Sequence, residues 1–230
     1  MMKNKKKRRK GQGKGSSFER EICKLLSRWW TNDKRDDVFW RTDGSGARAK
    51  TRSKTNQSTF GQCGDIQASD PIGQPLIDLC TIELKRGYKN DTLMDLLDKT
   101  ERMKVQGFED FILQARQDAK NADSKFWVVI TRRNQREALV TIPISFYKVL
   151  REYHTKHLIS TWSPACSMRL CVRPYDKNIT KWTDKKGKKH TKTEKIILKT
   201  VPLTVMSFPL SVFLEIVDRN IIEDLRERYV

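Results

Sequence analysis

The segment LIDLCTIELK, residues 76–85, constrains the fold of this chain more than any other part of the sequence. Its β-branched and apolar residues predict a strand in the interior of a sheet. A second buried strand is predicted for FWVVITR, residues 126–132, after a mainly helical stretch at 91–121 with a break at Gly107. The expected order along the chain is helix, several strands, helix, strands and helices, with no Pro-rich linker that divides it, which predicts a single α/β domain.

The remaining elements follow from the spacing of apolar residues and from turn-forming residues. Ser16 or Ser17 is expected to cap a first helix, which carries Glu19 in its first turn. The segment 44–64 is rich in Gly, Ser, Thr and bases and predicts a long loop, of a length that usually serves a function or is disordered. Further strands are expected at 38–42, 64–69 and 138–144, a helix at 145–158, a hairpin over 168–203 with a very basic tip at 183–192, and a helical carboxyl end in one or two pieces.

The domain organisation is expected to be simple. Residues 1–15 hold eight Lys and Arg and no acid, and such a run cannot bury enough surface to fold. They predict a disordered basic tail that neutralises phosphates, although a nuclear-localisation signal fits the same run. Residues 16–230 are expected to form one domain, with a core at about 16–145 and a carboxyl-terminal elaboration at about 146–230.

Composition narrows the class of partner. The formal net charge is +19 over 230 residues, which favours a polyanion such as nucleic acid. No apolar run approaches the roughly 20 residues that a membrane-spanning helix needs, so a membrane partner is not expected. The five cysteines are odd in number and have no CxxC spacing, which indicates a reduced, cytoplasmic protein. His154 and His157 have helical spacing but too few neighbouring ligands for a zinc site.

Glu83-Leu84-Lys85 is the motif with the clearest chemistry. The period of two in a strand places Glu83 and Lys85 on one face. A carboxylate there can hold a divalent metal ion, while the neighbouring ammonium orients an attacking water or supports charge that develops on a phosphate. These are the requirements of phosphodiester hydrolysis.

The [DE]xK pattern is weak by itself, because the chain contains four matches. The other three lie on a helix, in a turn and in a basic loop, where a surface charge pair explains them: Asp118–Lys120, Asp123–Lys125 and Asp184–Lys186. Only Glu83 and Lys85 end an apolar strand, and the bland alternative there is an ion pair at the sheet edge. Asp65, in a short strand just upstream, and Glu19 in the first helix favour the functional interpretation.

At these positions the sequence resembles the PD-(D/E)xK nuclease superfamily, and within it the archaeal-type Holliday-junction resolvases. In that family an amino-terminal helix opens with Gly-Ser and a Glu-Arg pair, and an Arg and a Ser/Gly-rich loop follow. A metal-binding Asp then precedes the ExK strand. The resemblance covers about residues 14–132, and it rests on Gly15-Ser16, Glu19-Arg20, Arg41, Gly44-Ser45-Gly46, Asp65 and Glu83-Leu84-Lys85.

The sequence also departs from the family. The family often carries Pro before the metal-binding Asp, where this chain has Gly64, and the separation from Asp65 to Glu83 is long. A helix after the ExK strand often bears a Gln near the site, and Gln114 and Gln117 both fit that place. No resemblance extends beyond about residue 145.

The resemblance implies a restriction-endonuclease-like core, in which a mixed central β-sheet is flanked by helices, with a basic β-hairpin and carboxyl-terminal helices added. It implies that Asp65 and Glu83 bind Mg²⁺, for which Mn²⁺ can substitute, that Lys85 positions the water and that Glu19 aids a second metal or that water. The products would carry a 5′-phosphate. The expected partner is DNA, branched or otherwise structured, and symmetric cuts across a junction would require a homodimer. Residues expected along the DNA path are Arg20, Arg41, Ser45, Arg48, Lys50, Arg52 and Lys54.

Three further carboxylates have simpler explanations. Asp78 lies five residues before Glu83, which on one strand places it on the opposite face. Asp43 and Asp70 lie beside Gly and Pro and are expected to form turns. Two alternative functions stay open: a superfamily nuclease that acts on flaps, single strands or duplex DNA, and a non-catalytic basic nucleic-acid-binding protein in which the ExK pair is structural.

Overall fold

The computed structural model describes residues 12–42, 64–88, 92, 94–96, 107–153, 165–184 and 187–230. Residues 1–11 of the predicted basic tail therefore lie outside the described residues, as does most of the long loop predicted at 44–64. The loop residues that are predicted to contact DNA also lie outside the described residues: Ser45, Arg48, Lys50, Arg52 and Lys54. The same holds for His154 and His157.

The described residues form six α-helices and nine β-strands, with two short 3₁₀ turns at Pro71–Gly73 and Met94–Leu96. The helices are α1 Gln12–Trp30, α2 Gln74–Leu79, α3 Phe108–Ala122, α4 Ile144–Glu152, α5 Leu210–Ile216 and α6 Arg219–Tyr229. The strands are β1 Phe39–Arg41, β2 Ile66–Ala68, β3 Cys80–Arg86, β4 Phe126–Arg132, β5 Leu139–Pro143, β6 Cys166–Val172, β7 Tyr175–Thr183, β8 Lys189–Ile197 and β9 Val201–Pro209.

Five strands form a mixed central sheet in the order β3-β4-β5-β9-β6. Strands β3 and β4 are parallel, and all the other neighbours are antiparallel. Helix α3 connects the two parallel strands, as a parallel pair requires a crossover. Strands β1 and β2 pair beside the β3 edge, and β7 and β8 form a separate antiparallel hairpin. The predicted fold class, an α/β restriction-endonuclease-like core with a mixed sheet, is confirmed.

The two faces of the sheet pack against different helices. On one face, Ile82 and Leu84 of β3 join the apolar stripe of α1 in the larger core cluster. On the other face, Trp127 and Val129 of β4 pack with α3 in a second cluster. The parallel register aligns Glu83 with Val129 and Lys85 with Thr131, so both charged residues of the ExK motif lie on the α3 side of the sheet.

The structure corrects two predicted boundaries. The segment 76–85 is predicted as one strand, but its first four residues belong to helix α2, and the strand is Cys80–Arg86. Pro75 occupies the first turn of α2, a position that favours helix initiation, and an apolar run alone does not separate a short helix from a strand. Helix α1 begins at Gln12, so neither Ser16 nor Ser17 is its cap.

The carboxyl-terminal region is part of the core rather than an addition to it. Strands β6 and β9 complete the central sheet. The base of the hairpin predicted over 168–203 therefore belongs to this sheet, and β7 and β8 form its separate outer part. The final helical segment is in two pieces, and Asp218 caps the second by accepting a hydrogen bond from the Ile221 amide. Apolar residues of α5 and of the position after it are buried or half-buried in this core: Leu210, Val212, Phe213, Ile216 and Val217. None of the described helices is long and apolar enough to cross a membrane.

Candidate active site

Gly64 allows Asp65 to approach the edge strand β3. Its φ is +76°, and a Cβ atom there would lie 2.7 Å from the Ile82 carbonyl oxygen. The Asp65 amide donates to that same carbonyl oxygen at 2.8 Å, and its side-chain Oδ2 accepts the Leu84 amide at 2.8 Å. Proline, which fixes φ near −65°, cannot adopt this conformation. The difference from the resembling family at position 64 therefore has a local physical reason.

Glu83 is a buried carboxylate with an unsatisfied oxygen. Its relative exposure is 1%, and Lys85 donates a close hydrogen bond to its Oε1. No group among the described residues makes a hydrogen bond to Oε2. A buried polar atom without a partner is rare in folded proteins and costs roughly 1–3 kcal/mol. A buried oxygen that accepts no hydrogen bond from the described residues is what we expect of an atom that binds a metal ion.

The electrostatics of Glu83 are dominated by burial. Burial and the neighbouring charge of Asp65 raise the pKa of Glu83 to about 8, against the opposing attraction of Lys85. For Lys85, burial favours the neutral amine, but Glu83 and Asp65 together raise its pKa above the ordinary value. The metal-free site therefore resists a second negative charge, and a cation beside Asp65 and Glu83 would relieve that repulsion.

Glu19 lies near the same cluster but has its own partner. Arg41 Nη1 lies 3.2 Å from Glu19 Oε2, which joins α1 to β1. Burial and Asp65 raise the pKa of Glu19, while Arg41 lowers it. Asp65 thus acts on both Glu19 and Glu83. Arg20, the next residue on α1, is exposed.

The oxygen donors fit a hard divalent cation better than a transition metal. Within the described ranges no three His, Cys, Asp or Glu side chains converge into a metal-binding group. Mg²⁺, however, is commonly held by one or two carboxylates together with waters and substrate phosphates. Asp65 and Glu83 carry oxygen donors of the kind that this smaller set requires, and their binding of a metal stays a prediction. Whether Glu19 joins it stays a prediction.

Asp118 is buried, so the surface charge pair with Lys120 that the sequence predicts is wrong. The relative exposure of Asp118 is 6%, and its charge raises the pKa of Glu83. Its position on α3, four residues before the end of that helix, brings it over the sheet face that carries Glu83. The signal that was available is its helical spacing from Ala115 and Ile112, which are both buried.

The two candidate glutamines line a groove that Asp118 also lines, and a role for them in the site stays a prediction. Gln114 and Gln117 both line a groove between α3 and the start of β7. Gln117 is exposed and donates to Asn121 Oδ1 at 2.9 Å. Asp78 lies on α2 rather than on a strand, where it binds Gln74 and Arg226. Asp70 caps a 3₁₀ turn, as its turn assignment predicts.

Basic side chains surround the open end of the site. Four arginines line an open cavity of about 760 Å³ at the ends of β3 and β4. A smaller cavity, of about 370 Å³, adjoins Lys85 and is lined by Tyr88, Phe108 and Phe111 together with three of the same arginines. Such a rim suits a polyanionic ligand. The arginine cluster consists of Arg86, Arg132, Arg133 and Arg136.

Among the residues that the structure describes, one arginine of this cluster pairs with a carboxylate. Arg132 donates two hydrogen bonds to Glu21, at 2.5 and 2.6 Å. Arg86, Arg133 and Arg136 have no ion-pair partner in the part of the chain that the structure describes. Their guanidinium groups are available for bidentate contacts with phosphate.

Comparison with known proteins gave one match. No curated protein and no solved structure showed significant similarity to the chain. A family model described as "Phage putative PDDEXK endonuclease" matches residues 10–198, which include Glu19, Asp65, Glu83 and Lys85. The match covers most of the chain and supports nuclease activity and the PD-(D/E)xK superfamily. The chain therefore belongs to the phage PDDEXK endonuclease family.

Proposed function

We propose that this protein is a Mg²⁺-dependent endodeoxyribonuclease that hydrolyses phosphodiester bonds in structured DNA, with the Holliday junction as its favoured substrate. The observation that carries the catalytic part is the unpartnered oxygen of buried Glu83, which lies beside Asp65 and Lys85. Junction preference is supported by the resemblance of the short motifs to the archaeal-type resolvases.

Each site residue has a distinct chemical role in this proposal. Asp65 and Glu83 hold the divalent cation, with Mn²⁺ as an effective substitute. That cation supplies polarisation of the phosphoryl oxygen and a lower pKa for a bound water. Lys85, held against Glu83, orients the water and supports charge on the phosphate. Glu19 is proposed to aid the same water or a second cation.

The DNA path is proposed to run across the arginine cluster and past the β1 end of the site. Arg20 and Arg41 lie on that side. Further DNA contacts are proposed for residues that lie outside the described ranges: Ser45, Arg48, Lys50, Arg52 and Lys54. Contacts of this type bind phosphates and position the DNA without reading its sequence. Selectivity would then follow from the shape of the substrate.

The test is cleavage of a substrate panel: a four-way junction, a flap, a single strand and a plain duplex, in Mg²⁺ and in EDTA. We expect metal-dependent cutting that is fastest on the junction and leaves 5′-phosphate ends. Asp65→Asn and Lys85→Met should each lower the single-turnover rate at least about 100-fold.

The outcomes separate the competing functions. If the wild type binds all four substrates but cuts none in Mg²⁺ or Mn²⁺, the protein is a nucleic-acid-binding protein and the catalytic proposal fails. If both variants cut as fast as the wild type, the site assignment is wrong. Faster cutting of the flap, single strand or duplex than of the junction would retain the nuclease and reject the junction preference.

A further inference from the structure

The β7–β8 hairpin is anchored to the first turn of α3. Arg173, just before β7, is buried and donates to both carboxylate oxygens of Glu109, with its Nη2 at 2.7 Å from Oε2. The next residue, Asp110, accepts a hydrogen bond from the Tyr175 hydroxyl at 2.5 Å and pairs with Lys195 at 3.2 Å. Two adjacent acids thus hold the base of the hairpin, while its strands extend into solvent.

The charges of the hairpin are separated between its two faces. Side chains that face each other across the ladder share a face, and successive residues alternate. The pairs Lys177–Lys195, Lys181–Thr191 and Thr183–Lys189 lie on one face, which holds four lysines and no acid. We call this the lysine face; its lysines are Lys177, Lys181, Lys189 and Lys195.

The opposite face has a different character. It carries Asp176 and Glu194, and Lys192 on this face pairs with Glu194 at 2.6 Å. The exposed Trp182 ring is stacked on His190, with ring centroids 5.3 Å apart. The lysine of this face, Lys192, is therefore paired with a carboxylate of the same face.

Three of the four lysines of the lysine face have no such partner among the described residues. Lys195 is paired with Asp110 at the base of the hairpin. Lys177, Lys181 and Lys189 are exposed, and none of them has an ion-pair partner among the described residues. Like charges placed side by side repel one another, which a polyanion would relieve.

The lysine face is turned toward the side of the sheet that carries the catalytic carboxylate. Tyr175 and Lys195 both belong to it, and both contact Asp110 on α3. Helix α3 packs on the face of the sheet where Glu83 lies. A groove of about 890 Å³ runs between α3 and the hairpin, and its lining mixes both charges: Asp110, Arg116, Asp118, Lys120, Asp176 and Lys177.

We propose that the lysine face of the hairpin binds the phosphate backbone of a DNA segment beyond the cleaved phosphate. This inference rests on the proposed function for its choice of DNA as the polyanion. It adds a second contact surface, separate from the arginine cluster.

The experiment compares two double variants that remove the same charge, one from the lysine face and one from outside it. Lys181→Gln with Lys189→Gln changes the lysine face. Lys188→Gln with Lys192→Gln is the control, since Lys192 lies on the opposite face and Lys188 lies in the turn before β8, outside the ladder. Binding to a duplex of about 30 base pairs is measured in EDTA between low and moderate salt, with circular dichroism to verify that both variants are folded.

We expect the lysine-face variant to bind at least about tenfold more weakly and to lower the slope of log affinity against log salt by about 2, since each phosphate contact contributes roughly 0.9. The control should stay within about twofold of the wild type. Equal losses in both variants would show an effect of net charge alone and overturn the proposal, as would no loss in either.

Two further arms keep this inference separate from the nuclease proposal. Vesicles of phosphatidylserine and phosphatidylcholine replace the duplex in one arm, and a loss confined to vesicles would identify an anionic lipid surface instead of DNA. Cleavage by the wild type in Mg²⁺ is measured in the other arm. Cleavage with no face-specific binding loss rejects only the hairpin surface, whereas face-specific loss without any cleavage rejects only the nuclease.

Discussion

Glu83 and Glu109 are both 1% exposed, yet their carboxylates differ in how many partners they have. Glu109 has Arg173 as a full counter-charge, with hydrogen bonds from the backbone amide and two guanidinium nitrogens. Glu83 shares Lys85 with the nearby Asp65 and keeps one oxygen without a partner among the described residues. One carboxylate is complete within the protein, and the other is not.

The difference indicates which buried charge serves structure and which serves chemistry. A compensated pair fixes the geometry of the elements it joins, here α3 and the base of the hairpin. An uncompensated carboxylate lowers stability and persists where a ligand completes it. The following changes test this contrast, in order of expected size.

Glu109→Gln should lower the free energy of unfolding by about 3–5 kcal/mol, because it leaves the buried guanidinium of Arg173 without a counter-charge. Urea or thermal denaturation measures the change. Glu137→Gln is the control, since Glu137 is exposed and pairs with Ser211, and it should change stability by less than about 0.5 kcal/mol. A loss below 1 kcal/mol for Glu109→Gln would contradict the structural role.

Gly64→Ala should destabilise the protein by about 1–3 kcal/mol, because it places a Cβ at positive φ against the Ile82 carbonyl oxygen. It should also slow cleavage more than its stability loss explains, since Asp65 moves with the backbone. Gly87→Ala is the matched control, with a similar φ of +88° and open space around its Cβ. If both variants cleave DNA at the same rate, the backbone approach at Gly64 does not position the site.

Glu83→Gln should leave the metal-free protein as stable as the wild type or stabilise it by about 1 kcal/mol, because glutamine mimics the neutral carboxyl that burial favours. The pKa of Glu83 is raised to about 8 in the fold, from 4.5 in the unfolded chain. Its contribution to stability is therefore fully present below 4.5 and is lost as pH rises through about 8.

The stability difference between Glu83→Gln and the wild type should accordingly grow from pH 5 to about pH 8. Thermal denaturation in EDTA at several pH values measures this difference. A variant that is destabilised as much as Glu109→Gln, at every pH, would place Glu83 among the structural ion pairs.

The sequence predicted those features of the fold and the site that depend on local patterns of residues. Alternation placed Glu83 and Lys85 on one face, and the apolar segments predicted the buried strands β4 and β5. It did not predict that residues 76–79 are helical, since apolar runs of that length fit either element. Nor did it predict the burial of Asp118, because the packing of α3 over the sheet is a tertiary property.

The contrast between the two glutamates shows the same limit. Nothing in the sequence near Glu109 predicts that Arg173, 64 residues away, satisfies its carboxylate. The sequence likewise predicted a basic hairpin tip, but it did not predict that the lysines gather on one face. That assignment requires the register of β7 and β8.

The most direct test of the central claim is calorimetric titration of Mn²⁺ into the wild type, Glu83→Gln and Glu109→Gln at a temperature where all three are folded. The account predicts similar Mn²⁺ affinity for the wild type and Glu109→Gln, and an affinity at least about tenfold weaker for Glu83→Gln. Equal Mn²⁺ affinity in all three proteins would contradict it, because the unpartnered oxygen of Glu83 would then hold no metal.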